Sequence, residues 1–287
     1  MTKEIKHKIV LVNKTTFLLT FCVFIISSFF SMVNAQGSLL VTPKRVVFDG
    51  NKRSEELNLA NTGKDSATYI ISFIQIKMKD DGTFEQIENP DSTLQIASNN
   101  LRFFPRSVTL APNEAQSVRV QVRNLSALND GEYRSHIYFK GLPNQTALGE
   151  EGDNKDSSIS VKITPVYGLS LPVIIRKGTL LLKANITDFE VDLLKKDEPY
   201  VKFVINREGD MSTYGDISVN YIANNEIVTN LALIKGLAVY TPNKLRKIVL
   251  KIDNSKTIDW KSGKLQVVYT DQSNKASVLA EQIIQLK

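Results

Sequence analysis

The stretch SISVKITPVYGLSLPVIIRKG, residues 158–178, alternates. From Ile159 to Ile175 every second residue is apolar except Pro165: Ile159, Val161, Ile163, Tyr167, Leu169, Leu171, Val173 and Ile175. An extended backbone sets alternate residues on one face, and at about 3.3 Å per residue this face would run roughly 50 Å. Strands usually hold about 5–6 residues. The stretch therefore reads either as two successive strands, broken at Pro165-Val166 or at Pro172, or as one edge with more apolar face than its own domain uses. Pro165 and Pro172 offer no backbone N–H, so they cannot both lie in a strand paired on its two sides. That assigns the segment to a sheet edge. Most proteins blunt such an edge with charge or shortness. Here only Lys162 interrupts the central part, and it does so on the opposite face. An edge kept in this state can add itself to the sheet of another chain and push alternate side chains into an open groove there.

The rest of the chain follows the same two-residue period, with almost no helical periodicity. SLLVTPKRVVF, SEELNLAN, ATYIISFIQIKM, RFFPRSVTLAP, QSVRVQVRN and EYRSHIYFKGLP carry β-branched and aromatic residues in partial alternation. Asp81-Gly82 in MKDDGTFEQI marks a tight hairpin. Asn61-Thr62-Gly63 and Ala111-Pro112-Asn113 mark further turns. After Arg176-Lys177-Gly178 a second set begins with TLLLKANITDFEVD and YVKFVINREGD and runs to SVLAEQIIQL. The expected fold is all-β, with two sandwich domains at 36–176 and 177–287 behind a leader at 1–35. The polar, acidic segment GLPNQTALGEEGDNKDSS is expected as a mobile surface loop. In NDGEYRSH, Tyr133 stands two residues before Ser135, where an antibody domain has cysteine. This resembles the tyrosine corner of an immunoglobulin-like sandwich without its disulfide, and an ordinary turn before a strand tyrosine fits the same residues.

Residues 1–35 combine Lys3, Lys6, Lys8 and Lys14 with the apolar run FLLTFCVFIISSFFSMV and a small Ala35 before Gln36. This is the order of a secretory signal peptide. A membrane anchor is the competing reading, but Ser27, Ser28 and Ser31 interrupt a run that would need about 20 apolar residues. Without the leader the charge falls from +6 to 32 basic against 29 acidic residues, a net of +3. A basic balance of that size gives no reason to expect nucleic acid or an anionic membrane as partner. The single cysteine, Cys22, lies in the leader, so the exported chain is expected to have no internal disulfide.

Convergent catalytic groups are few. His136 is the only histidine after the leader. It alternates with Ser135, Ile137 and Phe139, and is expected as a polar surface residue on the wetter face of its strand. With no second histidine and no cysteine, the common zinc sites and Cys-His nucleophile pairs are not expected. Neither a Gly-rich phosphate loop nor a Gly-x-Ser-x-Gly elbow occurs. Trp260 in IDWKSGK fits a core or edge position better than a sugar platform.

VTPKRVVFDGNKRSEELNLANTG, RFFPRSVTLAPNEAQSVRVQVR, GEYRSHIYFKGLP and YGLSLPVIIRKG, in that order behind a leader, resemble the periplasmic pilus-assembly chaperones, the PapD-like partners of outer-membrane ushers. INREGDMSTYGDISVNY resembles the start of that family's second domain, so the resemblance covers most of residues 38–222. It implies an L-shaped pair of immunoglobulin-like domains in the periplasm. Such a protein is not an enzyme and holds no cofactor or metal. It lends its edge strand to a pilus or fimbrial subunit that lacks its last strand, and delivers the subunit to the usher. Ile159, Val161 and Ile163 are then the side chains expected to insert. At ~1.5–3 kcal/mol for each buried aliphatic residue, three would supply most of a micromolar affinity before ordering costs. Two idle edges could also cap each other in a dimer, and neither nucleic acid nor stable membrane insertion enters this picture.

The family grips the subunit's C-terminal carboxylate with an arginine on the first strand and a lysine on the edge strand. Arg45 in KRVVF matches the arginine, and a guanidinium suits a carboxylate. Taken alone, Arg45 also fits a solvent-facing strand arginine. The lysine has no counterpart: Gly168 to Ser170 carries no charge, Lys162 lies upstream and Arg176-Lys177 downstream. A structural or adhesive surface protein, using the same edge for permanent assembly, is the alternative function.

Overall fold

The computed structural model describes residues 39–50, 52–91, 93–143, 166–192, 199–252, 258–275 and 277–286. The leader lies outside these residues. So do positions 144–165, which include Ile159, Val161, Ile163 and most of the acidic loop. No helix among the described residues is long and apolar enough to cross a membrane.

Ten strands come first: β1 (Leu39–Thr42), β2 (Val46–Phe48), β3 (Ser54–Asn61), β4 (Ala67–Met78), β5 (Phe84–Ile87), β6 (Leu101–Phe104), β7 (Ser107–Leu110), β8 (Ala115–Val122), β9 (Gly131–Gly141) and β10 (Gly168–Lys177). They form one sheet of order β1-β3-β8-β6 and another of order β2-β10-β9-β4-β5, with β7 against β4. This is the strand division of an immunoglobulin-like sandwich, whose two antiparallel sheets enclose one core. Leu57, Leu59, Val118, Val120, Ile137, Phe139, Val173 and Ile175 are fully buried between them. Each is a member of an alternating run, and the two-residue period turns it inward. At the corner before β9 the Tyr133 hydroxyl donates to the Asn129 carbonyl at 3.2 Å, the bond that defines a tyrosine corner. Ser135, where a bridging cysteine would stand, donates to Gln75 Oε1 and accepts from the Ser98 N–H, each at 2.9 Å.

Seven strands follow: β11 (Leu182–Asp192), β12 (Tyr200–Gly209), β13 (Thr213–Ile222), β14 (Val228–Val239), β15 (Leu245–Lys251), β16 (Lys264–Asp271) and β17 (Val278–Gln285). Their sheets have the orders β11-β12-β15 and β14-β13-β16-β17. Val201, Phe203 and Ile205 of β12 meet Ile217 and Val219 of β13 and Val267 and Tyr269 of β16 in a second core, with Trp260 packed at its margin. Met78, Ile174 and the partly buried Val47, all from the first ten strands, belong to this second core. The two sandwiches therefore share buried surface.

β10 accounts for half of the alternating stretch. Leu171, Val173 and Ile175 enter the first core, with Leu169 packed at its margin. β9 pairs with β10 along its whole length, from Gly168↔Lys140 to Lys177↔Gly131. β2 covers the other side only at Val173–Ile175, in parallel. Gly168–Pro172 thus has a strand on one side alone among the described residues. Pro172, lacking an N–H, is the last residue of that open edge.

Candidate binding cleft between the two sandwiches

Register fixes which side chains face the second sandwich. On β9, Ser135, Ile137 and Phe139 point inward, so Glu132, Arg134 and His136 share the outer face. Arg176, Ile174 and Pro172 of β10 stand opposite them in turn. Because Val46 pairs with Val173, Arg45 falls beside Pro172 at the start of β2. The second sandwich contributes Ser212, Tyr214, Tyr240 and Thr241 to the same seam.

The inner end of the seam is a buried carboxylate. Glu132 is 2% exposed. It accepts from Arg176 Nε at 2.9 Å, from the Ser212 N–H at 3.2 Å, from the Ser212 hydroxyl and from Thr241 Oγ1 at 3.3 Å. Glu132 and Arg176 come from the first sandwich, Ser212 and Thr241 from the second. A buried carboxylate requires this degree of compensation, because its desolvation is otherwise unmatched.

Farther along, Arg45 is half-buried and belongs to no ion pair among the described residues. Its guanidinium lies 4.3 Å from the Tyr214 ring and 5.5 Å from the Tyr240 ring, and Nη1 reaches the Tyr240 hydroxyl at 3.4 Å. Stacking on aromatic faces holds a guanidinium without neutralising it. The cation is therefore free to meet an external anion. Its neighbour on β10 is Pro172, and Gly168 to Ser170, where a second cation was expected, carries no charge. The downstream candidates are occupied elsewhere: Arg176 by Glu132, and Lys177 by the Ser126 and Leu128 carbonyls.

His136 differs from its expected surface role. It does face away from the first core, but it is 4% exposed because Phe84 and Tyr240 cover it, with ring centroids at 6.2 and 6.5 Å. Burial first, then the charges of Arg134 and Arg45, push its pKa down to about 3. The imidazole is neutral at physiological pH. Phe84, His136, Tyr240, Pro172 and Leu237 line an open cavity of about 450 Å³ between the sandwiches, with Arg246 on its wall. The β4–β5 hairpin forms one flank. Its tip reaches the second sandwich, where the Lys247 N–H donates to the Asp80 carbonyl at 2.6 Å.

The seam brings Arg45 together with residues that sequence reasoning did not single out: Glu132, Arg134, Tyr214, Tyr240 and Phe84. A signal for the first two was present, since Glu132, Arg134 and His136 put three ionisable groups on one face of a strand whose other face is core. Tyr214 and Tyr240 carried none, because their role depends on how two separately folded sandwiches meet.

No family model matches the chain, and no curated protein does. Among solved structures, the chain is similar to the YadV chaperone at 10% identity, covering 87% of this chain and 100% of that one, with a TM-score of 0.44. It is similar to the Pseudomonas aeruginosa CupB2 chaperone at 13% identity, with 86% and 98% coverage and a TM-score of 0.40. A chain of the Salmonella enterica SafA pilin–SafB chaperone complex matches at 11% identity, with 88% and 99% coverage and a TM-score of 0.42. The immunoglobulin-like sandwich described above rests on the strand pairing of this chain alone.

Proposed function

We propose that this protein is a non-enzymatic periplasmic chaperone for pilus or fimbrial subunits, which it holds by an edge strand and a carboxylate anchor until an outer-membrane usher takes them. The observation that carries the reading is Arg45. Its cation is half-buried in the seam, stacked on Tyr214 and Tyr240 with no ion-pair partner among the described residues, beside the one-sided edge Gly168–Pro172. A chain pairing along that edge would bring its terminus toward this arginine. Ile159, Val161 and Ile163, upstream of the edge and outside the described residues, are the side chains assigned to the client's groove. The domain limits 36–176 and 177–287 and removal of residues 1–35 are part of the same proposal.

Co-expression with a candidate subunit tests it. Replacing Ile159, Val161 and Ile163 together with Ser should abolish accumulation of the subunit. Arg45→Ala should release the subunit while leaving the chaperone's own unfolding midpoint nearly unchanged, because the arginine's partners are exchangeable aromatic faces. Normal subunit yield with the triple variant overturns strand lending, and normal retention by Arg45→Ala overturns the anchor.

A further inference from the structure

Phe84 is a large aromatic side chain left 54% exposed at the cleft. Its ring centroid lies 6.2 Å from that of His136 and 6.2 Å from that of Tyr240, and those two are 6.5 Å apart. All three rings line the cavity of about 450 Å³ between the sandwiches. Its volume falls at the lower end of the range for ligand sites, roughly 300–1,000 Å³, and leaves room for a ring. The charged groups on the wall are Arg246, Lys247 and Asp81, two cations against one acid. Nothing there opposes a neutral apolar guest.

Ser170 and Pro172 belong both to this wall and to the one-sided edge Gly168–Pro172. Leu169 and Leu171 turn toward the first core, so Ser170 and Pro172 face the cleft. A strand added to the edge would lie about 4.8 Å from β10 and place alternate side chains on that same face. Such a side chain must pass over Ser170 and Pro172 to meet the rings, because β9 with His136 is the next strand inward. Aromatic and long side chains reach neighbours at about 7–8 Å, and short aliphatic ones do not. A ring is also what this wall holds best. Aromatic pairs attract at centroid separations of about 4.5–7 Å, and Arg246 supplies a cation for the ring face. We propose that the cavity is a subsite for one aromatic side chain of the bound client strand. The inference rests on the strand-lending reading above and adds a rule of client choice: a strand with Phe, Tyr or Trp on its cleft-facing side is preferred to one without.

Fluorine NMR of fluorobenzene with the intact protein reads the cavity without any client. Wild type should broaden the resonance saturably, and so should Phe104→Ala, which removes an exposed ring that is not part of the cavity wall. Phe84→Ala takes away one ring of the wall, and Ser170→Trp fills the space from the edge. Each should weaken binding about fivefold. Phenol should displace fluorobenzene better than cyclohexanol, which has the same size without the ring electrons. Co-expression with a candidate subunit then reads the occupant: Phe84→Ala and Ser170→Trp should each lower the subunit yield several-fold, and Phe104→Ala should not. No saturable binding by wild type, or equal binding by Phe84→Ala and Ser170→Trp, overturns the subsite. Weaker fluorobenzene binding in both variants with an unchanged subunit yield overturns the client side chain as occupant and leaves strand lending standing. A wild-type protein that retains no subunit overturns strand lending and this inference together.

Discussion

Glu132 and His136 show how position outweighs residue type. The Arg119–Glu56 pair, at 2.7 Å, has side chains 57% and 51% exposed, and water screens it. Such pairs contribute about 0–1 kcal/mol. The Glu132–Arg176 pair is only slightly longer at 2.9 Å, yet its carboxylate has 0% side-chain exposure. Glu132→Ala should therefore cost about 3–5 kcal/mol, since it takes the carboxylate from the largely buried Arg176 and leaves the buried Ser212 N–H without its acceptor. Glu56→Ala should stay within about 1 kcal/mol, and urea denaturation of the two variants measures the contrast. His136 makes a second residue-scale prediction. Its pKa is about 3 in the folded protein, against 6.5 for a solvated histidine such as the unfolded chain presents. The unfolded chain therefore binds a proton between those values that the native chain excludes. The resulting stability is fully present above about pH 6.5 and is lost as pH falls toward 3, amounting to roughly 5 kcal/mol. Between pH 6.5 and 5, before most carboxylates titrate, the unfolding free energy of wild type should decline with a slope approaching one proton. His136→Leu should remove that slope.

The β4–β5 hairpin is the element that turns two sandwiches into a walled cleft. Asp81 closes its tip by accepting from the Thr83 N–H at 2.8 Å and the Thr83 hydroxyl at 2.6 Å, and these bonds hold its carboxyl below the usual pKa. Gly82 is required twice over. Its φ of +83° is a conformation that other residues adopt with strain, and a Cβ there would land on the Arg246 guanidinium. Arg246 in turn donates from Nη1 to the Ala238 carbonyl at 2.8 Å, which limits how far it can yield. Gly82→Val should destabilise the protein by about 1–3 kcal/mol. The local signature should be faster hydrogen exchange at the Lys247 N–H, whose acceptor is the hairpin carbonyl of Asp80. Unchanged exchange there would mean that the tip stays docked despite the substitution.

For the whole molecule, the decisive fact is that the second core is completed from the first sandwich. Ile174 is fully buried and Met78 is 1% exposed, and both belong to the buried cluster that holds the core residues of β12, β13 and β16. Two sandwiches that share core residues should unfold together. Calorimetry should show one transition for wild type, and Ile174→Ala should cost about 2–5 kcal/mol through the cavity it leaves. Leu233→Ala, at a side chain 55% exposed, should change little. Two well-separated transitions in the wild-type protein would contradict this coupling.

The two-residue period of the sequence was enough to specify an all-β chain, because alternation alone decides which face of a strand is apolar. The Asp81-Gly82 hairpin and the tyrosine corner at Tyr133 were also legible, since turn chemistry acts over a few neighbouring residues. Arg45 could be singled out only through its resemblance to a family motif. Tertiary structure decided the rest. It buried His136 rather than exposing it, set Pro172 beside Arg45, and gathered Glu132, Arg134, Tyr214 and Tyr240 into one seam. Those outcomes depend on which outer face of one sandwich is covered by the other. That contact joins residues about a hundred positions apart, and no local periodicity encodes it.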